Sequence, residues 1–64
     1  MTIKELRQGE FFTKKPIDEP KDNQVWVRGE YIRSEKRYEC YNWADINRFC
    51  YINGDKEVYT GFTF

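Results

Sequence analysis

Sixty-four residues suffice for one modest hydrophobic core and not for two domains, because a chain this short hides only about 60% of the surface it exposes when unfolded. Eleven basic and eleven acidic side chains cancel, which removes the simplest electrostatic argument for a nucleic-acid or membrane partner. The opening MTIKELRQGE has no apolar segment or small-residue cleavage site, and no apolar run approaches the ~20 residues of a membrane span, so a cytoplasmic protein with no membrane contact is expected.

The first predicted element is a short helical turn over residues 3–8. Thr2 followed by Glu5 matches a capping box, Gly9 is placed to close the turn in a left-handed conformation, and Leu6 is the expected core anchor. Residues 10–15 (EFFTKK) read as a strand. Pro16 and Pro20 cannot donate to a ladder and the residues around them favour solvent, so 16–23 is a surface connector. Residues 24–33 (QVWVRGEYIR) and 36–43 (KRYECYNW) are dense in β-branched and aromatic side chains and form the clearest strands, joined tightly through Ser34 and Glu35. Gly29, in mid-strand, marks a bend or bulge.

Asn42 stands three residues before Asp45 and suggests a cap for a helical turn over residues 44–48. Residues 49–52 and 56–64 flank Asn53-Gly54, the pair best suited to a type I′ turn. The expected hairpin sets Phe49 opposite Val58, with Phe62 and Phe64 following Val58 on the same side. The fold class is all-β: a small, strongly bent antiparallel sheet or an SH3-like barrel of about five strands, with one or two short helical turns, in a single domain over residues 1–64. Two Trp, five Tyr and five Phe make its core aromatic-rich.

The chemistry-bearing residues are sparse. There is no His, the usual general base at neutral pH, and the only Ser, Ser34, falls in a predicted turn. Asp18 and Glu19 are adjacent in a loop, where nothing apolar raises a carboxyl pKa. Cys40 and Cys50 lie in strand-like runs and read as reduced, at least partly buried small hydrophobes; without CxxC or His they do not form a zinc site. Neither catalysis, a metal nor a cofactor is expected.

The hairpin of the two clearest strands carries the one candidate site. Its register sets Tyr31 opposite Tyr38, Gly29 opposite Cys40 and Val27 opposite Asn42 on a core-like side. The other side pairs Ile32 with Arg37, Glu30 with Glu39, Arg28 with Tyr41 and Trp26 with Trp43. Trp26, Arg28, Arg37, Tyr41 and Trp43 together resemble the aromatic and guanidinium surfaces that protein interfaces and base-stacking platforms use. The competing structural reading has both Trp side chains capping a barrel and Arg28 lying over Tyr41 as a cation-π contact.

The run Leu6-x-x-Gly9-Glu10-x-Phe12, the segment Val25-Trp26-Val27-Arg28-Gly29-x-Tyr31, the pair Tyr38-x-Cys40 and the closing Glu57-Val58-Tyr59-x-x-Phe62-x-Phe64 resemble uncharacterised small proteins of gut anaerobic bacteria. The resemblance spans nearly the whole chain and implies a bacterial, intracellular origin; that group has no assigned activity, so no residue role follows from it. The residues themselves point to a non-catalytic protein-binding module, through a protein partner or self-association. The alternative is a single-stranded nucleic-acid binder in which Lys14, Lys15, Arg28, Arg33 and Arg37 track phosphates.

Overall fold

The computed structural model describes residues 1–62. Four antiparallel strands in the order β1-β2-β3-β4 form one sheet: β1 (Phe11–Phe12), β2 (Trp26–Ile32), β3 (Arg37–Asn42) and β4 (Phe49–Ile52). The only helical elements among the described residues are two single 3-10 turns, Ile3–Glu5 and Asp22–Gln24.

The first turn carries the expected capping-box pair, Thr2 and Glu5. The Thr2 backbone N–H and hydroxyl both donate to the Glu5 carboxylate, at 2.9 and 2.8 Å. Those two bonds hold the Glu5 carboxyl below its ordinary value. Gly9 takes the expected positive φ of 92°, but it closes a separate turn in which Glu10 N–H donates to Arg7 C=O. The expected connector over residues 16–23 ends in the second 3-10 turn, where Lys21 N–H donates to the Gln24 side chain at 2.8 Å.

Residues 33–36 form the β2–β3 loop, with Lys36 at φ 53°, so Tyr31 opposes Tyr38 and Ile32 opposes Arg37 as expected. The register then shifts. Arg28 opposes Cys40, Val27 opposes Tyr41 and Trp26 opposes Asn42, each one residue away from the expected pairing. The cause is a β-bulge between Arg28 and Tyr31, which places Gly29 and Glu30 together against Glu39. A Cβ on Gly29 would lie 2.6 Å from the Glu39 carbonyl oxygen, a closeness that only glycine permits.

The expected type I′ hairpin at Asn53-Gly54 does not form. Lys56 N–H donates to Asn53 C=O at 2.9 Å, and the Asn53 side chain accepts from Asp55 N–H at 3.0 Å. Neither Gly54 nor Asp55 has positive φ, so the side-chain-closed turn lacks the twist that returns a strand along its partner. The chain splays away from β4 instead. Ile3 N–H donates to Lys56 C=O, Val58 N–H to Met1 C=O, and Tyr59 bridges Thr13. Val58 is therefore buried in the core while Phe49 opposes Tyr41, and the fifth expected strand is reduced to isolated bridges at Glu57 and Tyr59. Phe64, expected to follow Val58, lies outside the described residues.

The expected helical turn over residues 44–48 is also absent. Arg48 N–H donates to Asp45 C=O, and Asn42 caps Ala44 N–H with its side chain at 3.1 Å, so local Asx geometry replaces a helix. Asn42 is buried, and its amide also donates to Asn23 C=O at 2.9 Å, leaving both ends satisfied.

The core lies on the face of β2 and β3 that carries Trp26, Cys40 and Asn42, closed by Ile3, Leu6, Phe12 and Val58. Full burial of each large apolar side chain in that set contributes about 1.5–3 kcal/mol. Leu6 is the anchor expected of it, and Ile3 joins it.

Candidate functional site

The bulge decides which residues share a face. Opposed residues of an antiparallel pair point to the same side, so Phe12, Trp26, Arg28, Tyr38, Cys40, Asn42, Cys50 and Ile52 lie on the core face. Phe11, Val27, Arg37, Glu39, Tyr41, Phe49 and Tyr51 lie on the other.

The five residues expected to make one recognition surface are thereby divided. Trp26 retains 9% of its surface and packs in the core, with the Lys14 ammonium 3.9 Å above its ring. Arg28 lies over the Tyr38 ring at 4.3 Å, not over Tyr41, and its guanidinium donates to Gly29 C=O at 3.0 Å. Arg37 is exposed and Tyr41 half-buried, both on the outer face. Trp43 is 49% exposed, with its ring 5.1 Å from that of Phe11, and its backbone N–H donates to Val25 C=O. The expected pairing of Trp26 with Trp43 is corrected to Trp26 with Asn42, because one extra residue in β2 turns Trp26 inward.

What the structure assembles instead is an outer aromatic face. Phe49 and Tyr51 sit 6.1 Å apart edge-on in β4, with 57% and 41% of their surfaces exposed. Tyr41 stands opposite Phe49, and Ile46, 72% exposed, projects from the β3–β4 connection. Together with Glu39 they surround an open cleft of about 340 Å³. Phe49 is expected only as the partner of Val58, and no role is expected of Tyr51 or Ile46. The signal was the alternation in Phe49-Cys50-Tyr51-Ile52, which puts two aromatics on one face and Cys50 with Ile52 on the other.

On the core side of β4, Cys50 opposes Cys40 and accepts a hydrogen bond from the Lys14 ammonium at 3.6 Å. Both thiols are free, Cys40 buried and Cys50 partly so. Burial pushes the Cys40 thiol up to about 11. The two ion pairs among the described residues, Met1 ammonium with Glu57 at 2.6 Å and Lys4 with Asp55 at 2.8 Å, tie the N-terminal segment to the chain after β4. Both are solvent-exposed and add little to stability. Among the described residues no three His, Cys, Asp or Glu side chains converge as a metal site would require, and no helix is long and apolar enough to cross a membrane.

No protein-family model matches the chain, and no curated protein or solved structure matches it either.

Proposed function

We propose that the chain is a non-catalytic protein-binding module that docks its partner on the outer face of the sheet. The observation that carries this reading is the exposed cluster of Phe49, Tyr51 and Ile46 beside Tyr41, apolar side chains gathered on one face around a cleft. Interfaces favour Tyr, Trp and Phe and need no net charge, which fits a neutral chain. The sheet, with its C-terminal bridge to Thr13, supports placing the domain among SH3-like barrels. A bacterial cytoplasmic setting belongs to the same proposal and fits the two free thiols.

The nucleic-acid alternative draws less support. The cations nearest an aromatic ring, Lys14, Arg28 and Arg48, lie over the buried Trp26 or over Tyr38, whereas the exposed rings share their face with Glu39. Of the phosphate-tracking candidates, Lys14 and Arg28 lie over core-face rings and Arg37 shares the outer face with the exposed rings, so the cations do not line one stacking platform.

The test is the variant pair Phe49→Ser and Tyr51→Ser, used with the wild type to capture partners from a bacterial extract and then to measure affinity for the captured protein. The expected outcome is a melting temperature close to wild type and affinity at least tenfold weaker, as for exposed anchors of an interface. Unchanged affinity in both variants would remove the outer face from the binding surface. Salt-sensitive binding of mixed single-stranded oligonucleotides in place of protein would favour the alternative.

A further inference from the structure

We infer that the free edge of β4 takes an extended, acidic segment of the partner as an additional antiparallel strand. This rests on the protein-binding reading and names the partner's chemistry. The argument starts from the ladder between β3 and β4. Asn42 N–H donates to Arg48 C=O, so by the alternation of antiparallel pairs Cys50 and Ile52 direct their backbone groups toward β3. The N–H and C=O of Phe49 and Tyr51 then point away from the sheet. Nothing among the described residues bonds to them.

In most small β proteins the next strand of the meander covers such an edge, or a charge or proline blunts it. Here Phe49-Cys50-Tyr51-Ile52 holds neither, and the chain after the Asn53–Lys56 turn swings to the N-terminal segment and to Thr13. Between β4 and that departing segment lies a slot of about 350 Å³, floored by Cys50, Ile52 and Val58 and rimmed by Lys14, Lys56 and the Met1-paired Glu57.

The charge of the slot selects its occupant. Neither Lys14 nor Lys56 has a carboxylate in ion-pair range among the described residues. The acids nearby are already engaged, Glu57 by the Met1 ammonium and Asp55 by Lys4. A strand added to β4 would bond with Phe49 and Tyr51 and set its intervening residue opposite Cys50, on the slot side, beside the Lys14 ammonium 3.6 Å from Cys50 Sγ. A carboxylate belongs at that position. The flanking residues would lie against the exposed rings of Phe49 and Tyr51, where apolar side chains belong. The matching motif is an alternation of apolar and acidic residues. A second copy offers the slot a second Lys14 instead, and like charges at such a distance repel.

The experiment uses the full chain, isotopically labelled, and synthetic eight-residue peptides alternating valine or isoleucine with glutamate. Amide exchange is followed residue by residue. The glutamate peptides are expected to slow exchange at Phe49 and Tyr51 at least tenfold at saturation. Peptides with lysine for glutamate should not bind the wild type but should bind Lys14→Glu, whose loss of the glutamate peptide is thereby repaired; Lys56→Glu provides the same exchange of partners at a second site. Unprotected Phe49 and Tyr51 amides with every peptide would overturn strand addition, even where the Phe49→Ser variant still loses its partner and the binding-module reading holds. Equal binding of lysine and glutamate peptides would overturn the acidic assignment. Protection that grows with protein concentration alone, with a dimer in sedimentation, would give the edge to a second copy and overturn the proposal.

Discussion

Cys40 and Cys50 face each other across two strands and differ in burial, which leaves Cys40 with a thiol pushed up to about 11, and in their neighbours, Cys50 lying beside the Lys14 ammonium. Because the thiolate is the reactive form, Cys50 should react with an alkylating agent at pH 8 well before Cys40, with Cys40 following only on unfolding. Equal rates read by mass spectrometry would contradict the burial. The same shift predicts a pH dependence. Above the ordinary thiol value of 9.0 the unfolded chain releases the Cys40 proton while the folded chain keeps it up to about 11, so stability is lost as pH rises through that window. Denaturant titrations should show this decline, and Cys40→Ala should show less of it. The two tryptophans make a second contrast at this scale. Trp26→Ala removes a ring from the core and is expected to cost about 3–5 kcal/mol, whereas Trp43→Ala, at an exposed ring, should cost about 1 kcal/mol. Thermal melts of the pair check the order; equal losses would mean that Trp43 is as deeply packed as Trp26.

At the level of elements, one glycine governs the sheet. Gly29→Ala would drive a Cβ to 2.6 Å from the Glu39 carbonyl oxygen, on backbone that cannot swing aside as a side chain can. The expected loss is about 1–3 kcal/mol, and each 1 kcal/mol lowers the melting temperature of so small a domain by roughly 4–8 °C. An unchanged melt would mean that the bulge yields at no cost. The same glycine marks the limit of what the residues alone reveal. Strand positions for β2, β3 and β4, a tight connection through Ser34 and Glu35, and a bend at Gly29 are all legible from β-branched runs and turn residues. A bulge, however, shifts register by one, and a shift by one exchanges the two faces of every residue beyond it. Trp26 is therefore turned inward, to the side opposite Tyr41, Phe49 and Tyr51. The Asn53-Gly54 pair misleads for a related reason: the Asn53 side chain closes the turn by bonding Asp55 N–H, an option that pair statistics do not carry.

The molecule as a whole is held together by contacts between its distant parts. Ile3 bonds Lys56, Met1 bonds Val58 and Glu57, and Thr13 bonds Tyr59, so the core closes only when the first thirteen residues meet the chain beyond β4. This arrangement leaves the edge of β4 open and frees the outer face from the structural task of sealing the core. It also has a kinetic consequence. The Met1–Glu57 contact spans 56 positions, and loop-closure entropy must be spent before such a contact stabilises anything. The β2–β3 hairpin, with a loop of four residues, forms on the microsecond scale, while closure by the distant pairs is expected to slow overall folding to roughly milliseconds or longer. With closure late, Val58→Ala should raise the unfolding rate several-fold and change the folding rate less than twofold. Stopped-flow refolding and unfolding measure both arms; a slowed folding arm would place the Val58 contacts in the nucleus. Until that late step the hairpin persists with its core face bare, and Trp26, Cys40 and the outward backbone of its strands are open to any neighbouring chain, so aggregation during refolding should track the lifetime of this half-closed species more than the stability of the finished fold.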